Sequence, residues 1–370
     1  MPTSACKQPS FTINTSDDAQ TLSDCGAFDG DVEISNSTTG DIDLGPLTAI
    51  GGSLNVGGAS QMSGLAASSL ESVGGTFALD SLTTLTALNL PALTAVGTMR
   101  WVNLPSLQSF NASFGITKAQ DVAISDTALD SVEGLNFTRV ASIAITGNEN
   151  LDSIHLNNLA SVAGPLQITD NAWNTVVELP VLAHAGSVSL SNLSDVSIAA
   201  LSQVDGDFMI AQSSFTRLSL SNLTTVGGTF RLTDNAKLSS ADIPILRIIN
   251  NGIMLSGSPG LALELPALER AGSMLVANVS EVSIPSLSQV DGDFLIAQSS
   301  FTKLSVSNLT TIDGTVGLTD NAKLSEVDVP SLQTIGNGIM LSGCPDLASI
   351  SFPSLTTVSG DVNFTGAFDA

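Results

Sequence analysis

The chain has 370 residues, of which 35 are Asp or Glu and 11 are Lys or Arg, and its net charge is −24. An acidic balance of this size argues against nucleic acid and against anionic lipid as partners. Only 12% of the residues are charged, so Ser, Thr and Asn must supply much of the solvent-exposed surface. No apolar run in the sequence reaches the length that spans a membrane.

Two of the three cysteines bracket the short segment that precedes the first repeat. Cys6 and Cys25 lie where a solenoid must seal its exposed end. They predict a disulfide-bonded N-terminal cap over residues 1–29 and therefore an oxidising compartment; two buried free thiols are the alternative. Met1-Pro-Thr-Ser4 has no signal-peptide core.

From Gly30 onward one phrase recurs with a period of about 21 to 22 residues. A Gly-rich corner leads into a short alternating strand, a polar turn, a second strand of the form Leu-x-Leu, and a closing Val or Ile, as in Leu85 to Val96. Each first strand carries two apolar residues around one outward residue, and this period of two points the pair inward. The sixteen pairs are Val32/Ile34, Leu54/Val56, Phe77/Leu79, Met99/Trp101, Val122/Ile124, Ile143/Ile145, Leu166/Ile168, Val188/Leu190, Phe208/Ile210, Phe230/Leu232, Ile253/Leu255, Met274/Val276, Phe294/Ile296, Val316/Leu318, Ile339/Leu341 and Val362/Phe364.

These repeats predict an all-β protein: a parallel β-helix or L-domain-like solenoid of about sixteen coils. Helix is disfavoured throughout, because Gly, Pro and β-branched residues interrupt every segment. We expect one elongated domain that runs continuously over residues 30–370, since a solenoid grows by coils that touch only their neighbours.

The second half contains an internal duplication, about 186–271 and 272–357. The stretch Asp205 to Val226 returns as Asp291 to Ile312 with four differences in 22 positions, each of which replaces apolar by apolar or cation by cation. The offset of 86 residues corresponds to four coils. Cys344 has Ser258 at its equivalent position, so the fold does not require a thiol there; its partner lies beyond this sequence or it is unpaired.

Two features interrupt or punctuate the repeats. Residues 111–120 read as an insertion between regular coils and predict a surface loop. A shared corner position holds an asparagine whose side-chain amide is expected to bond the backbone of the next coil. These asparagines are Asn148, Asn171, Asn235 and Asn321.

The ordered phrases of the N-terminal third carry a resemblance. They are Cys6 with Ala19-Gln-Thr-Leu22 and Cys25, then Phe28-Asp-Gly-Asp-Val-Glu-Ile34, Val96-Gly-Thr-Met-Arg-Trp101, Leu104-Pro-Ser-Leu-Gln-Ser109 and Ile124-Ser-Asp-Thr-Ala-Leu129. With the recurring Leu-Pro-x-Leu-x-x-Val, they make the whole chain resemble the fungal GPI-anchored cell-wall organisation proteins, whose ectodomain is related to receptor L-domains and leucine-rich repeats.

The resemblance implies a secreted glycoprotein at the outer face of the plasma membrane and in the cell wall, needed for wall integrity and without catalytic activity or cofactor. It also implies a precursor with an N-terminal signal and a C-terminal anchor signal, so contact with the membrane would be made only through a lipid anchor that this chain does not contain. The near-identical duplication departs from the family pattern.

Nine Asn-x-Ser/Thr sequons are present, where about five or six would arise by chance in so Ser- and Thr-rich a chain. We expect several to be glycosylated, Asn111 above all. The sequons begin at Asn14, Asn36, Asn111, Asn136, Asn192, Asn222, Asn278, Asn308 and Asn363.

Candidate chemistry is sparse. Asp-Gly-Asp occurs at residues 29–31, 205–207 and 291–293, but the expected stacked neighbours are Ser and Thr, which favours turn-forming aspartates over calcium binding or acid catalysis. His155 and His184 lie in different coils without a nearby Ser or Cys constellation. The sequence therefore predicts no catalytic residue, no metal site and no cofactor.

The outward face of the first strands is more informative. Its central row turns apolar in the second half of the chain, and exposed Met and Leu in a line are typical of a partner surface. The row is Met209, Arg231, Met254, Leu275, Leu295 and Met340, with Ser and Thr on both sides. We expect it to bind cell-wall polysaccharide or a cell-surface protein; coverage by a loop, a glycan or a second copy is the alternative.

Two other functions remain open. An ice-binding or adhesive β-solenoid would use regular hydroxyl rows, although the central row is far from a uniform threonine ladder. A polysaccharide-cleaving β-helix would need a cleft with stacked carboxylates and a basic residue, which the sequence alone does not reveal.

Overall fold

The computed structural model describes residues 5–365. Met1–Ser4, which we noted for lacking a signal-peptide core, and residues 366–370, the end of the predicted solenoid, lie outside the described residues. The chain divides into two compact units, residues 1–182 and 183–370, which are described one at a time. The expectation of a single elongated domain stays a prediction.

Each unit is built from coils of parallel β-strands. A coil contains a first strand, a second strand after a polar turn, and a short third strand that leads into the next first strand. Equivalent strands pair in parallel from coil to coil, as where Phe208 lies opposite Phe230. The predicted all-β fold, a parallel β-solenoid of about sixteen turns, is confirmed.

The first unit begins with a 3₁₀ turn, Ala5–Lys7, and an α-helix, Ser16–Ser23. Its first and third strands, some fused into one, are Ser10–Ile13, Ala27–Phe28, Asp31–Ile34, Ala49–Ile50, Leu54–Gly57, Ser72–Asp80, Ala95–Leu104, Asp121–Thr127, Arg139–Val140, Ser142–Thr146 and Ser161–Thr169. Its second strands are Thr39–Asp43, Gln61–Ala66, Ala87–Asn89, Ser153–His155 and Thr175–Glu178.

The second unit contains the internal duplication. Its first and third strands are His184–Ser191, Gln203–Val204, Phe208–Ala211, Thr225–Val226, Thr229–Thr233, Ile248–Ser256, Arg270–Ala277, Gln289–Val290, Phe294–Ala297, Thr311–Ile312, Val316–Thr319, Thr334–Ile335, Ile339–Ser342, Thr357–Val358 and Val362–Thr365. Its second strands are Leu193–Ser197, Arg217–Ser219, Ser240–Asp242, Ala262–Glu264, Glu281–Ser283, Lys303–Ser305, Glu326–Asp328 and Ser349–Ser351.

The N-terminal cap is closed by the Cys6–Cys25 disulfide, as predicted. The prediction that helix is disfavoured throughout is wrong for residues 16–23. A capping box starts this helix: the Asp18 N–H donates to Thr15 Oγ1 at 3.3 Å, and the Thr15 N–H donates to Asp18 Oδ2 at 3.0 Å. Its Ala19 and Leu22 are buried, so the helix covers apolar surface at this end of the first unit.

The predicted inward pairs form the core. Fifteen of the sixteen pairs are buried, with every side chain at most 4% exposed. Val362 and Phe364, the last pair, are 50% and 48% exposed, because no further coil among the described residues covers them. The period of two in the sequence therefore identifies the core.

The corner asparagines form a buried ladder. Asn235 Nδ2 donates to the Ile210 carbonyl at 2.9 Å, and Asn235 Oδ1 accepts from the Ser213 N–H at 3.0 Å. Asn321, the equivalent residue in the second copy of the duplication, makes the same two bonds: its Nδ2 donates to the Ile296 carbonyl, and its Oδ1 accepts from the Ser299 N–H. The amides bond the preceding coil, whereas the next coil was predicted; the side chain points back toward carbonyl groups that the turn leaves free.

The prediction of a surface loop over residues 111–120 is wrong. The segment is part of a regular coil: Asn111 forms a parallel bridge with Asn89, Lys118 with Ala95, and Ile116 with Leu135. Ile116 is fully buried. The sequence misled because this coil lacks the Leu-x-Leu phrase while keeping the backbone path.

Candidate binding face

The six residues predicted for the binding face lie in one continuous row in the second unit. The central outward residues of successive first strands lie directly opposite one another, about 4.8 Å apart. The order is Ser189, Met209, Arg231, Met254, Leu275, Leu295, Gly317, Met340 and Asn363. All six residues predicted for the face are therefore brought together.

The row is a packed strip. Met209, Arg231, Met254, Leu275 and Leu295 are each partly buried, and Met340 is 45% exposed. Gly317 is covered by Leu295, since a β-carbon at Gly317 would lie 2.6 Å from Leu295 Cδ2. Apolar surface therefore runs along several coils, with Arg231 as its one cation between Met209 and Met340.

Partly buried hydroxyl groups flank the strip. Ser187, Thr229, Ser273 and Thr315 lie along one side, and their hydroxyls make no hydrogen bond to any residue within 5–365. Thr233, Ser256, Thr319 and Ser342 lie along the other side.

Hydroxyls elsewhere in this unit are used differently. Before the third strands, Ser202 Oγ donates to the Ala183 carbonyl and Thr224 Oγ1 to the Ser202 carbonyl, both at 2.9 Å. Thr310 Oγ1 donates to the Ser288 carbonyl, also at 2.9 Å. These hydroxyls hold one coil to the next, whereas those at Thr229 and Thr315 remain available to a ligand.

A hollow of about 260 Å³ opens at the start of the strip. It is lined by Ser187, Val188, Ser189, Asp207, Phe208, Met209, Thr229 and Arg231. Arg231 makes no ion pair or hydrogen bond with the residues that the structure describes. The hollow therefore combines a cation, three hydroxyls, a methionine side chain and the Asp207 carboxylate, whose Oδ1 accepts the Thr229 N–H.

The Asp-Gly-Asp motifs hold the backbone, as expected of turn-forming residues. Asp31, Asp207 and Asp293 accept hydrogen bonds at 2.7 to 2.8 Å from the N–H groups of Ser53, Thr229 and Thr315 one coil on. A glycine precedes each of these N–H groups because a β-carbon would collide with the carboxylate, as at Gly228. Residues 5–365 contain no group of three or more His, Cys, Asp and Glu that could hold a metal ion.

The structure reveals one carboxylate pair that the sequence analysis missed. Asp242 lies directly opposite Glu264 on adjacent second strands, beside a hollow of about 350 Å³. Both side chains are exposed. The sequence indicates this pair only through position, because Asp242 and Glu264 are each the last residue of a second strand in successive coils.

The two histidines form surface ion-pair geometries. His155 Nε2 lies 3.8 Å from Glu178 Oε2, and His184 Nε2 lies 2.9 Å from Asp205 Oδ2. Hydrogen bonds from Gln203 and then from His184 lower the pKa of Asp205 below its usual value. Neither histidine approaches a described Ser or Cys in a catalytic arrangement.

The sequon asparagines lie at the surface. Eight are exposed and Asn192 is partly buried, and glycosylation of these sequons stays a prediction. Asn111 and Asn136 both line a hollow of about 530 Å³ in the first unit, next to Phe114, which is 74% exposed. Trp173, at an exposed turn, is 83% exposed; the sequence analysis singled out neither aromatic side chain.

Parallel coils and one differentiated outer face define this chain as a β-solenoid protein. None of the described helices is long and apolar enough to cross a membrane. No family model matches the chain, and no solved structure matches it.

Curated relatives do match. The chain is 33% identical over 287 residues to "Protein ecm33" of Aspergillus fumigatus, which covers 77% of the chain and 72% of that protein. It is 31% identical over 292 residues to "Cell surface GPI-anchored protein" of Arthroderma benhamiae, with 76% and 74% covered. It is 30% identical over 302 residues to "Sporulation-specific protein 2" of Saccharomyces cerevisiae, with 80% and 60% covered.

The chain belongs to the family of fungal GPI-anchored cell-surface and cell-wall proteins. It is an extracellular protein of the cell wall and the outer face of the plasma membrane. The resemblance stated from the sequence is confirmed.

Proposed function

We propose that this chain is a non-enzymatic surface protein that supports cell-wall organisation by binding wall polysaccharide or another cell-surface protein. The contact is centred on Met254, Leu275 and Leu295. The observation that carries the proposal is the continuous, partly buried apolar strip in the second unit, flanked by hydroxyls that bond nothing else among residues 5–365.

The strip suits such partners for a physical reason. Apolar side chains that are already partly covered lose little conformational freedom on binding, and burying the rest of each contributes about 1 kcal/mol. The flanking hydroxyls at Thr229 and Thr315 can donate and accept hydrogen bonds. Sugar rings present both C–H faces and hydroxyl groups, so a polysaccharide can use both parts of the face.

The test replaces Met254, Leu275 and Leu295 by Asp together. Binding of the purified ectodomain to isolated cell walls is expected to be lost, while far-ultraviolet circular dichroism and the unfolding midpoint remain those of a folded solenoid. A control variant carries Ile245→Asp and Ile248→Asp, two exposed apolar residues of the same unit outside the strip. Wall binding by the folded triple variant would rule the face out.

A polysaccharide-cleaving enzyme is the second candidate, and the Asp242–Glu264 stack is the observation that favours it. The described residues lining that hollow include no His, Lys or Arg, and both carboxyls are solvated. We therefore expect no release of reducing ends when wall polysaccharide is incubated with the protein. Cleavage that disappears in the Asp242→Asn/Glu264→Gln variant would establish the enzyme instead.

Attachment to the membrane is a further part of the proposal. The relative from Arthroderma benhamiae is named as GPI-anchored, and this supports a lipid anchor on the full-length protein. Treating intact cells with a phospholipase specific for phosphatidylinositol should release the full-length protein. Retention of the membrane-bound protein after that treatment, with a known anchored protein released in parallel, would contradict the anchor.

A further inference from the structure

The duplication presents the same face twice in the second unit. The residues that differ between the two copies all change in the same direction, from more polar to more apolar. Five positions on or beside the strip are shared: Ser187 and Ser273, Thr229 and Thr315, Thr233 and Thr319, Met254 and Met340, and Ser256 and Ser342. Three differ, since Ser189, Met209 and Arg231 of the first copy become Leu275, Leu295 and Gly317 of the second. Every difference makes the second copy more apolar.

Arg231 has an unusual environment for a cation in this chain. It lies in register between Met209 and Met254 and is partly buried. Arg247, Arg270 and Lys303 in the same unit each bond a carboxylate at 2.6 to 2.8 Å. Arg217, Lys237 and Lys323 have no ion pair with residues 5–365, but they are exposed to solvent. Arg231 bonds no residue within 5–365, although the chain has 35 acidic residues to offer.

A partly desolvated guanidinium without a partner is unfavourable unless a ligand supplies the anion. The hollow beside it holds about 260 Å³, below the about 300 to 1,000 Å³ that suit drug-sized ligands. Hydroxyls of Ser187, Ser189 and Thr229 line it, together with Asp207, whose carboxylate accepts the Thr229 N–H. In the second copy Leu295 lies over Gly317, where the first copy has Met209 and Arg231.

We propose that the hollow at Arg231 binds the anionic group of an acidic sugar, a carboxylate or a phosphate, and so selects acidic residues of a wall polysaccharide. Arg231 holds the anion, the three hydroxyls bond the ring hydroxyls, and Met209 contacts a C–H face. The second copy provides a neutral apolar platform. This inference rests on the proposed function, since both use the same face.

A sugar suits the hollow better than an acidic peptide. The first strands around it already use their backbone groups in parallel ladders with both neighbours, Phe208 with Val188 on one side and Phe230 on the other. No sheet edge is therefore free there to pair with a peptide strand. The ligand must be recognised by side chains alone, and most of those present are hydroxyls.

The test follows the ε-methyl resonances of Met209 and Met254 in the full chain labelled with ¹³C-methyl methionine. Glucuronate and glucose 6-phosphate are the probes, with glucose as the neutral control and tetraglutamate as the acidic peptide. Saturable shifts are expected at Met209 and Met254 with an anionic sugar. Met340, the equivalent of Met254 beside Gly317, should not move and is the internal reference.

The two anionic probes separate carboxylate from phosphate recognition, and saturation by either supports the proposal. Glucose shifting the resonances as strongly as both anions would overturn it. Tighter binding of tetraglutamate than of either sugar would also overturn it, in favour of an acidic protein partner. Raising the salt concentration should weaken the response, because screening reduces the attraction of a partly exposed charge.

Two variants sharpen the result. Arg231→Gly copies the second face and should reduce affinity for the anionic sugar at least tenfold; Arg231→Gln, which keeps most of the side-chain volume, should do the same. Leu275→Ser/Leu295→Met/Gly317→Arg copies the first face, and the Met340 methyl should then respond to the anionic probe. Unchanged affinity in both folded Arg231 variants would overturn the assignment.

The outcomes also separate this inference from the proposed function. If the Met254, Leu275 and Leu295 triple variant loses wall binding but anionic sugars fail to bind, only the Arg231 assignment is wrong. If the triple variant still binds walls while anionic sugars bind at Arg231, only the strip is wrong.

Discussion

The rings of Phe208 and Phe230 stack in adjacent coils with centroids 5.2 Å apart and planes 4° apart. Both side chains are fully buried and lie in register on parallel first strands. In the second copy of the duplication, Phe294 lies opposite Val316 instead. The interior of the coil therefore accepts a β-branched aliphatic side chain where the first copy places a second ring.

Replacing Phe230 by Ala should lower the free energy of unfolding by about 3 to 5 kcal/mol, since the cavity cannot close within a rigid stack of strands. Phe230→Val should lower the free energy of unfolding by clearly less, because the second copy of the duplication already packs a valine, Val316, at the equivalent position. Urea unfolding followed by circular dichroism measures both. Phe114→Ala, at an exposed ring, is the control and should change stability by less than about 0.5 kcal/mol; equal losses at Phe230 and Phe114 would contradict the interior assignment.

The buried corner asparagines lead to two linked predictions, one for Asn235 and one for Ser258 at the same corner of the next coil. Asn235→Ala leaves the Ile210 carbonyl and the Ser213 N–H without their buried partner, which should cost about 2 to 4 kcal/mol for the two groups. One coil later, Ser258 is fully buried and its hydroxyl has no hydrogen-bond partner among residues 5–365. Ser258→Asn should therefore raise stability by about 1 kcal/mol, measured in the same urea titrations.

The two substitutions control each other, because they change the same corner in opposite directions. A destabilising Ser258→Asn would show that the corner at residue 258 cannot accept the longer side chain. A neutral Asn235→Ala would show that solvent replaces the amide, which the full burial of Asn235 argues against.

Cys344 occupies the same corner one duplication after Ser258. Its side chain is buried, and its thiol lies 3.5 Å from the Ser342 carbonyl and 3.9 Å from the Leu318 carbonyl. It should react with a thiol reagent such as Ellman's only after unfolding in urea, since access limits the reaction. Reaction at full rate in the folded protein, or a disulfide-linked dimer in a non-reducing gel, would contradict a buried free thiol.

The sequence predicts the repeating part of this fold well because the physics there is local. Inward pairs such as Phe208/Ile210 follow from a period of two, and the alignment of the central row follows from coils of nearly constant length. Coil length also explains why Met254, Leu275 and Leu295 were placed correctly in one line.

The sequence-based predictions fail where the role of a residue depends on neighbouring side chains that the repeat of the sequence does not specify. Residues 111–120 keep the backbone path with an atypical phrase, so they read as an insertion. The helix at 16–23 depends on a capping box rather than on apolar periodicity. The lack of a partner for Arg231 cannot be read from the sequence, because many carboxylates in an acidic chain could have reached it.

Glycosylation remains a prediction, and the structure directs where to test it. Asn111 and Asn136 are exposed and open into the same hollow as Phe114. Expression in a eukaryotic host followed by glycopeptide mass spectrometry should find Asn111 occupied, and Asn111→Gln should remove the mass of one glycan. Ser113→Ala, which destroys the sequon but keeps Asn111, is the matched control. An unchanged mass after glycosidase treatment of the parent would contradict the prediction.

The ion pair between Arg100 and Asp80 on the first unit has a pH dependence of definite sign. Arg100 Nη1 donates to Asp80 Oδ2 at 2.6 Å, and this bond, with a second from Ser81, lowers the pKa of Asp80 below 3.8. A carboxyl with a depressed folded pKa stabilises the fold above its unfolded pKa, which is 3.8 here, and that stabilisation is lost as the pH falls through the folded pKa.

Arg100→Gln should therefore reduce the free energy of unfolding at neutral pH, by less than about 1 kcal/mol because both side chains are more than a third exposed. The difference between parent and variant should shrink as the pH falls below 3.8 and disappear once Asp80 is protonated in both states. Arg217→Gln, at an exposed arginine without an ion pair to residues 5–365, should show no such pH dependence. A difference that stayed constant on acidification would mean that Arg100 stabilises the fold through its aliphatic stem rather than through Asp80.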